Sequence, residues 1–152
     1  MPETPITQLV GILAASIAPV IVISGVGLLL LSMTNRYSRV IDRARELTRE
    51  VESAVQAERR DLFLEELRIL YWRARILRRA IILSSVSILF VGVTVLSLFA
   101  AQLLNRRGDY ISIPSFGLSL IALIGSLYFF IHDVGISLTA LELEIAPYVK
   151  RS

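Results

Sequence analysis

The sequence predicts an all-α integral membrane protein with three transmembrane helices and a long cytoplasmic antiparallel helical hairpin between the first and the second. Its composition is 55% hydrophobic with a mean hydropathy of +0.67, which is too apolar for a typical soluble domain. Residues 6–33 carry no charged side chain, and this run exceeds the roughly 20 apolar residues that cross a bilayer as a helix. Neither Gly nor Pro occurs from Leu28 to Val91, so no helix-breaking residue separates the apolar run from the arginine-rich segment that follows.

The three apolar segments divide the 152 residues, which we interpret as one domain, 1–152. In lipid each segment is expected to form a helix, because a helix satisfies its own backbone hydrogen bonds. No Lys or Arg precedes Arg36, which argues against a cleaved signal peptide in the first segment. The predicted boundaries are about 6–33, 80–104 and 115–137 for the spans, 34–79 for the hairpin, 105–114 for an outside loop and 138–152 for a C-terminal segment.

The basic residues predict the orientation of the spans. Twelve of the sixteen Lys and Arg residues lie in 34–79, two in 105–114 and two in the C-terminal segment. By the positive-inside rule the hairpin and the C-terminus are cytoplasmic, and the N-terminus faces outside. Acidic residues alternate with the arginines and no nucleic-acid-binding motif is present, so the net charge of +3 does not indicate nucleic acid as a partner.

Two heptad-like series of apolar and small residues predict that the hairpin is a pair of helices packed as in a coiled coil. We place the reversal in the charged segment AERRD, 57–61, which gives two rods of about Pro5–Ala57 and Asp61–Leu104. The charged surface is either solvated or binds a cytoplasmic protein partner. The two series are Val40, Ala44, Leu47, Val51 and Ala54, then Phe63, Leu67, Leu70, Ala74, Leu77 and Ile81. The arginines that flank the spans, and that we expect to contact membrane lipid headgroups, are Arg36, Arg39, Arg78 and Arg79.

Each span carries one stripe of small or hydroxyl-bearing residues at helical spacing. Such stripes are typical of seams where helices pack closely in lipid, and a stripe of hydroxyls can alternatively line a hydrated pore. Pro19 removes a backbone hydrogen bond midway through the first span, so we expect a kink there. The candidate pore or packing residues are Gly11, Ala18, Gly25, Ser32, Ser84, Ser87, Thr94, Ser119 and Ser126.

Asp133 and its neighbour His132 are a candidate ion, proton or anchor site near the cytoplasmic end of the third span. Adjacent residues project about 100° apart on a helix, and only Asp133 lies on the small-residue stripe. A carboxylate at that depth is costly unless it is partnered. We expect the partner to be an arginine that enters the membrane at a similar depth: Arg36, Arg78 or Arg79.

The sequence does not indicate an enzyme. It contains no cysteine and a single histidine, with no Gly-rich phosphate loop and no cluster of residues at metal-ligand spacing. No catalytic residue, metal or cofactor is therefore expected.

The segments ISGVGLLLLSMTNRYSRVIDR, 23–43, and SLTALELEI, 137–145, resemble a family of small bacterial membrane proteins known as domain of unknown function 2721. The likeness covers most of the chain, and TNRY after the leucine run is its most specific part. The acidic residue that the family usually has ahead of Ser-Leu-Thr-Ala-Leu is matched by Asp133. The resemblance implies a multi-pass protein of the bacterial inner (plasma) membrane and implies no mechanism.

These features favour a homo-oligomeric inner-membrane protein with a channel-like or ion-permeation role. Because three helices enclose little space, a pore would need several subunits, most simply in a closed ring. The alternative is a non-conducting scaffold, or an assembly or insertase-like factor, that binds partners through the hairpin. The order of one span, a cytoplasmic helical hairpin and two further spans is similar to the layout of the Oxa1-type membrane insertases.

Overall fold

The computed structural model describes residues 5–53, 57–103 and 109–149, and all of them are helical. The three helices are α1, Pro5–Ser53, α2, Ala57–Leu103, and α3, Asp109–Val149. Three helices in the described part are long and apolar enough to cross a membrane, and these same ranges contain no strand. The chain is therefore an all-α membrane protein with three candidate transmembrane helices, as predicted.

Helix α1 passes without a break from the apolar run into the arginine-rich segment. It spans 49 residues and includes Asn35, where the apolar run has just ended. Pro19 lies inside this helix, which continues on both sides of it. The continuity is expected physically, because no Gly or Pro occurs from Leu28 to Val91 and one proline removes only one backbone hydrogen bond.

Two boundaries differ from the prediction. Helix α1 ends at Ser53 and α2 begins at Ala57, so the AERRD segment belongs to the first turns of α2 instead of the reversal. Ala, Glu and Arg are strong helix formers, which explains why 57–61 is helical. Helix α3 begins at Asp109 and contains Pro114, so part of the predicted outside loop is helical. Pro114 is the sixth residue of α3, so it costs one backbone hydrogen bond of the second turn, and the helix continues through it.

The chain divides into two compact units. The first unit comprises the described parts of Met1–Leu31 and Leu83–Ile124. Within it, Ser87 Oγ donates a hydrogen bond to the carbonyl oxygen of Ser119 at 2.8 Å, which joins α2 directly to the backbone of α3. Large apolar side chains of the same unit point outward, as expected of a surface covered by lipid; among the most exposed are Leu28, Leu96, Phe99, Ile121 and Ile124.

The second unit comprises Ser32–Ile82 and the described part of Gly125–Ser152. Its core is a cluster of side chains from the charged halves of α1 and α2: Val40, Leu47, Leu70, Ala74 and Leu77, with Tyr37, Ile41, Ala44, Phe63, Leu67 and Phe130 packed around them. All of these except Tyr37, Ile41 and Phe130 are positions of the two predicted series. Val51 is half-buried, and Ala54 lies outside the described residues.

Candidate functional site

Asp133 is a fully buried carboxylate on α3 that pairs with an arginine of α2. Its Oδ1 lies 3.4 Å from Arg73 Nε, and the exposed fraction of the Asp133 side chain is 0% against 18% for Arg73. The same guanidinium donates from Nη2 to Ser137 Oγ at 3.2 Å. Asp133 and Ser137 are four residues apart and so share one face of α3, which lets a single arginine contact both.

The partner of Asp133 is therefore Arg73, and the expectation of Arg36, Arg78 or Arg79 was wrong. Arg78 and Arg79 are exposed, whereas Arg73 lies seven residues before the buried Ala80 on the same face of α2. Ser126, seven residues before Asp133, donates from Oγ to the Ala80 carbonyl oxygen at 2.8 Å. If the contact between Ser126 and Ala80 is known, a step of seven residues along each helix leads to Asp133 and Arg73. The sequence alone does not tell which residues of α2 and α3 are opposite each other.

His132 and the second carboxylate oxygen of Asp133 do not form a hydrogen bond with each other. Asp133 Oδ2 is buried and has no hydrogen-bond partner among the described residues. His132 is exposed, with its ring centroid 6.4 Å from that of Tyr128. The structure thus places the carboxylate inside the second unit and the imidazole on its surface.

A cavity of about 310 Å³ opens beside the Arg73 side chain, and sequence reasoning missed it. Its lining consists of four arginines, two apolar side chains and one hydroxyl: Arg36, Arg39, Arg43, Arg73, Val40, Leu70 and Ser137. Arg36 and Arg39 belong, with Arg78 and Arg79, to the arginines that the sequence predicts to contact lipid headgroups, and Arg78 and Arg79 do not line this cavity. The spacing of 36, 39 and 43 on one helix face is the sequence signal for the cluster.

The candidate hydroxyl-bearing residues of α2 and α3 are buried within the chain. This holds for Ser84, Ser87, Thr94, Ser119 and Ser126. Thr94 Oγ1 donates to the Phe90 carbonyl oxygen of its own helix at 2.8 Å, and Ser87 and Ser126 donate across to the partner helix within their own units.

The candidate residues of α1 are placed differently. Gly25 and Ser32 are exposed, and a Cβ atom added at Gly25 would meet nothing within 4 Å. Gly11 and Ala18 lie outside the residues whose side chains the structure describes. The small-residue stripe of α1, which we name the α1 row, is thus open at Gly25 and Ser32. The corresponding stripes of α2 and α3 are used in packing.

An exposed apolar face occurs on the charged half of α2. Leu62, Ile69 and Trp72 are 64%, 51% and 52% exposed. Their spacing of seven and three places them on one side of the helix. Tyr71, on another side, is covered in part by Arg75, which lies 5.1 Å from the tyrosine ring centre and donates to its hydroxyl at 2.9 Å. We name the surface formed by Leu62, Ile69 and Trp72 the α2 apolar face.

The chain matches the model of a known protein family. The model of the family described as "Protein of unknown function (DUF2721)" matches residues 16–143, which is most of the chain. No curated protein and no solved structure matches the chain significantly. Within the described ranges, no group of three or more His, Cys, Asp or Glu side chains is arranged to hold a metal ion.

Proposed function

We propose that this chain, which belongs to the family of proteins of unknown function DUF2721, is a membrane scaffold or assembly factor. In this role it binds a helical protein partner. The observation that carries this proposal is the α2 apolar face. Leu62, Ile69 and Trp72 expose half or more of their surface in a segment that is otherwise rich in charge. Large apolar side chains exposed along one side of a charged helix are typical of an interaction site.

Lipid does not reach most of this face. The second apolar span begins at about Ala80, so at 1.5 Å per residue Trp72 lies about 12 Å and Leu62 about 27 Å before it along the helix axis. The headgroup layer is only about 5–8 Å thick on each side of the hydrocarbon core. A protein surface is therefore the better cover for these side chains.

The spacing of the three side chains suits a helix as the partner. Apolar anchors at positions i, i+7 and i+10 form one stripe, which packs against the apolar stripe of a second helix. Glu65 is exposed between Leu62 and Ile69 on the same side of the helix, and the exposed Arg68 borders that side; both would supply polar contacts. The proposal places the charged halves of α1 and α2 in the cytoplasm, in accordance with the positive-inside rule.

Photo-crosslinking in intact membranes tests this function. A photoreactive residue is placed at Ile69 or at Trp72, and Leu64 is the matched control because it is apolar, 45% exposed and on another side of the same helix. We expect a discrete crosslinked protein from Ile69 and Trp72 and none from Leu64. Crosslinks only to a second copy of the chain would assign the face to self-association instead. Equal crosslinking at all three positions, or none, would contradict the proposal.

Ion permeation is the second candidate, and the exposed α1 row favours it. Gly25 and Ser32 are open to a neighbouring subunit or to the axis of a ring, whereas the buried hydroxyls of α2 and α3 already donate to backbone carbonyls. A pore in a homo-oligomer would therefore be lined by α1. Purified protein in vesicles should then pass ions above the level of empty vesicles, and Ser32→Leu should reduce that flux. Flux equal to that of empty vesicles would exclude the channel.

A further inference from the structure

We propose that the cavity lined by Arg36, Arg39, Arg43 and Arg73 is a binding site for a phosphate group. It lies within the second unit, between the charged halves of α1 and α2 and beside Ser137 of α3. This inference does not depend on the scaffold or the channel function, because neither uses these side chains.

The four arginines divide into a paired and an unpaired set. Arg43 contacts Glu46 at 2.8 Å and Glu66 at 3.3 Å. Arg73 is paired with Asp133. Arg36 and Arg39 form no ion pair with any residue in the described part of the chain; Arg36 instead lies 5.6 Å from the ring centre of Phe130. The positive charge of the cavity is therefore carried by Arg36 and Arg39.

Several guanidinium groups around one cavity suit a phosphate group. Guanidinium is planar, always charged and able to donate two parallel hydrogen bonds to phosphate oxygens. An anion bound between Arg36 and Arg39 would also relieve the repulsion between like charges one helical turn apart. The carboxylates that pair with Arg43 and Arg73 orient these two side chains, which also line the cavity.

The size of the cavity indicates more than a bare ion. A volume of about 310 Å³ leaves room for more than one small ion, since about 10–15 Å³ of such volume already holds a water molecule. Val40 and Leu70 supply apolar lining, and the Ser137 hydroxyl supplies a further polar group. This combination suits a phosphate group that carries a short organic portion.

The depth of the two unpaired arginines favours a membrane lipid as the source of the phosphate. The first apolar run ends at Met33, and Arg36 and Arg39 follow it by about 5 Å and 9 Å along the helix. This is the level of the lipid headgroups. A soluble phosphate compound offers the same chemistry from the aqueous side, so the test must distinguish the two sources.

The test compares the full-length double variant Arg36→Gln, Arg39→Gln with the double variant Arg78→Gln, Arg79→Gln. Both remove two positive charges next to a span, but Arg78 and Arg79 do not line the cavity. Each protein is purified in detergent, incubated with phosphatidylglycerol or phosphatidylcholine, washed, and analysed by native mass spectrometry. Thermal unfolding with and without millimolar inorganic phosphate is measured in parallel. If the double variant fails to fold, Arg39→Gln replaces it.

We expect wild type and the Arg78/Arg79 variant to retain phosphatidylglycerol over phosphatidylcholine, and the Arg36/Arg39 variant to lose at least about tenfold of that preference. Stabilisation by inorganic phosphate that disappears only in the Arg36/Arg39 variant, without any preference for phosphatidylglycerol, would assign the site to a soluble phosphate compound. Equal losses in both variants would mean general attraction of charge and would overturn the proposal. Absence of both the lipid preference and the phosphate effect in wild type would overturn it as well.

Discussion

Asp133 of α3 contacts Arg73 of α2, just as Ser126 of α3 contacts Ala80 of α2. The two contacts lie seven residues apart on each helix, across the same interface. The Ser126 Oγ to Ala80 carbonyl distance is 2.8 Å, and the Asp133 Oδ1 to Arg73 Nε distance is 3.4 Å. Residue numbers rise along α3 as they fall along α2, so the two helices are antiparallel within this unit. A buried ion pair and a buried hydroxyl thus hold one register of α2 against α3.

Loss of Arg73 should destabilise the protein strongly. Arg73→Met leaves the carboxylate of Asp133 buried without a charged partner, and we expect the free energy of unfolding to fall by about 3–5 kcal/mol. The double variant Arg73→Met, Asp133→Leu should recover much of this loss, because no buried charge remains. Equilibrium unfolding in detergent measures both values.

Arg78→Met is the control for this prediction, because Arg78 is exposed and its removal should change stability by no more than about 0.5 kcal/mol. A loss at Arg73 no larger than at Arg78 would mean that the pair does not stabilise the fold. Ion flux that changes in Asp133→Asn while the oligomer remains intact would instead assign Asp133 to an ion or proton site.

Replacement of Ser126 should affect packing more than hydrogen bonding. Ser126→Ala removes one hydroxyl bond, worth about 0.6 kcal/mol on average between helices in lipid. Ser126→Leu adds a large side chain at a position with 0% exposure, where overpacking costs about 1–3 kcal/mol. The matched Ser32→Leu variant, at an exposed position, should unfold like wild type. Similar stability of the two leucine variants would place Ser126 outside a tight contact.

Gly25→Leu separates the fold of one chain from its assembly. Because nothing lies within 4 Å of a Cβ atom built at Gly25, the single chain should accommodate the larger side chain. If copies associate through the α1 row, the variant should keep its helix content but shift to smaller species in size-exclusion chromatography with light scattering. Ile21→Leu, at an exposed neighbouring position, is the volume-conserving control. If the oligomer of Gly25→Leu is the same size as that of wild type, Gly25 does not lie in an interface between copies.

The Arg43 ion pairs should contribute little compared with the Arg73 pair. Arg43 lies near Glu46, Glu50 and Glu66, but its side chain is 45% exposed, so water and salt screen these contacts. We expect Arg43→Gln to lower the free energy of unfolding by less than about 1 kcal/mol, and the difference to shrink as salt is raised. A salt-independent loss as large as that of Arg73→Met would contradict this interpretation.

Part of the site was predictable from local sequence and part was not. The small residues around Ser87 and Ser126, and the acidic position Asp133, stand out because helical spacing repeats along one chain. The arginine that faces Asp133 does not stand out, since many arginines lie within two helical turns of the membrane boundary. The cavity was missed for the same reason: Arg36, Arg39 and Arg43 come from α1, but Arg73 and Ser137 come from two other helices.

The long apolar helices and the continuity of α1 through Asn35 follow from the amino-acid sequence alone, because hydropathy and the absence of Gly and Pro from Leu28 to Val91 act locally along the chain. The packing of the helices against each other is needed to see that Arg73 is the partner of Asp133. It also shows that the candidate hydroxyls of α2 and α3 are buried between helices, whereas Gly25 is open. The physical reason is that register between helices depends on how whole faces fit together. A shift of one helical turn would exchange these partners without changing any local pattern.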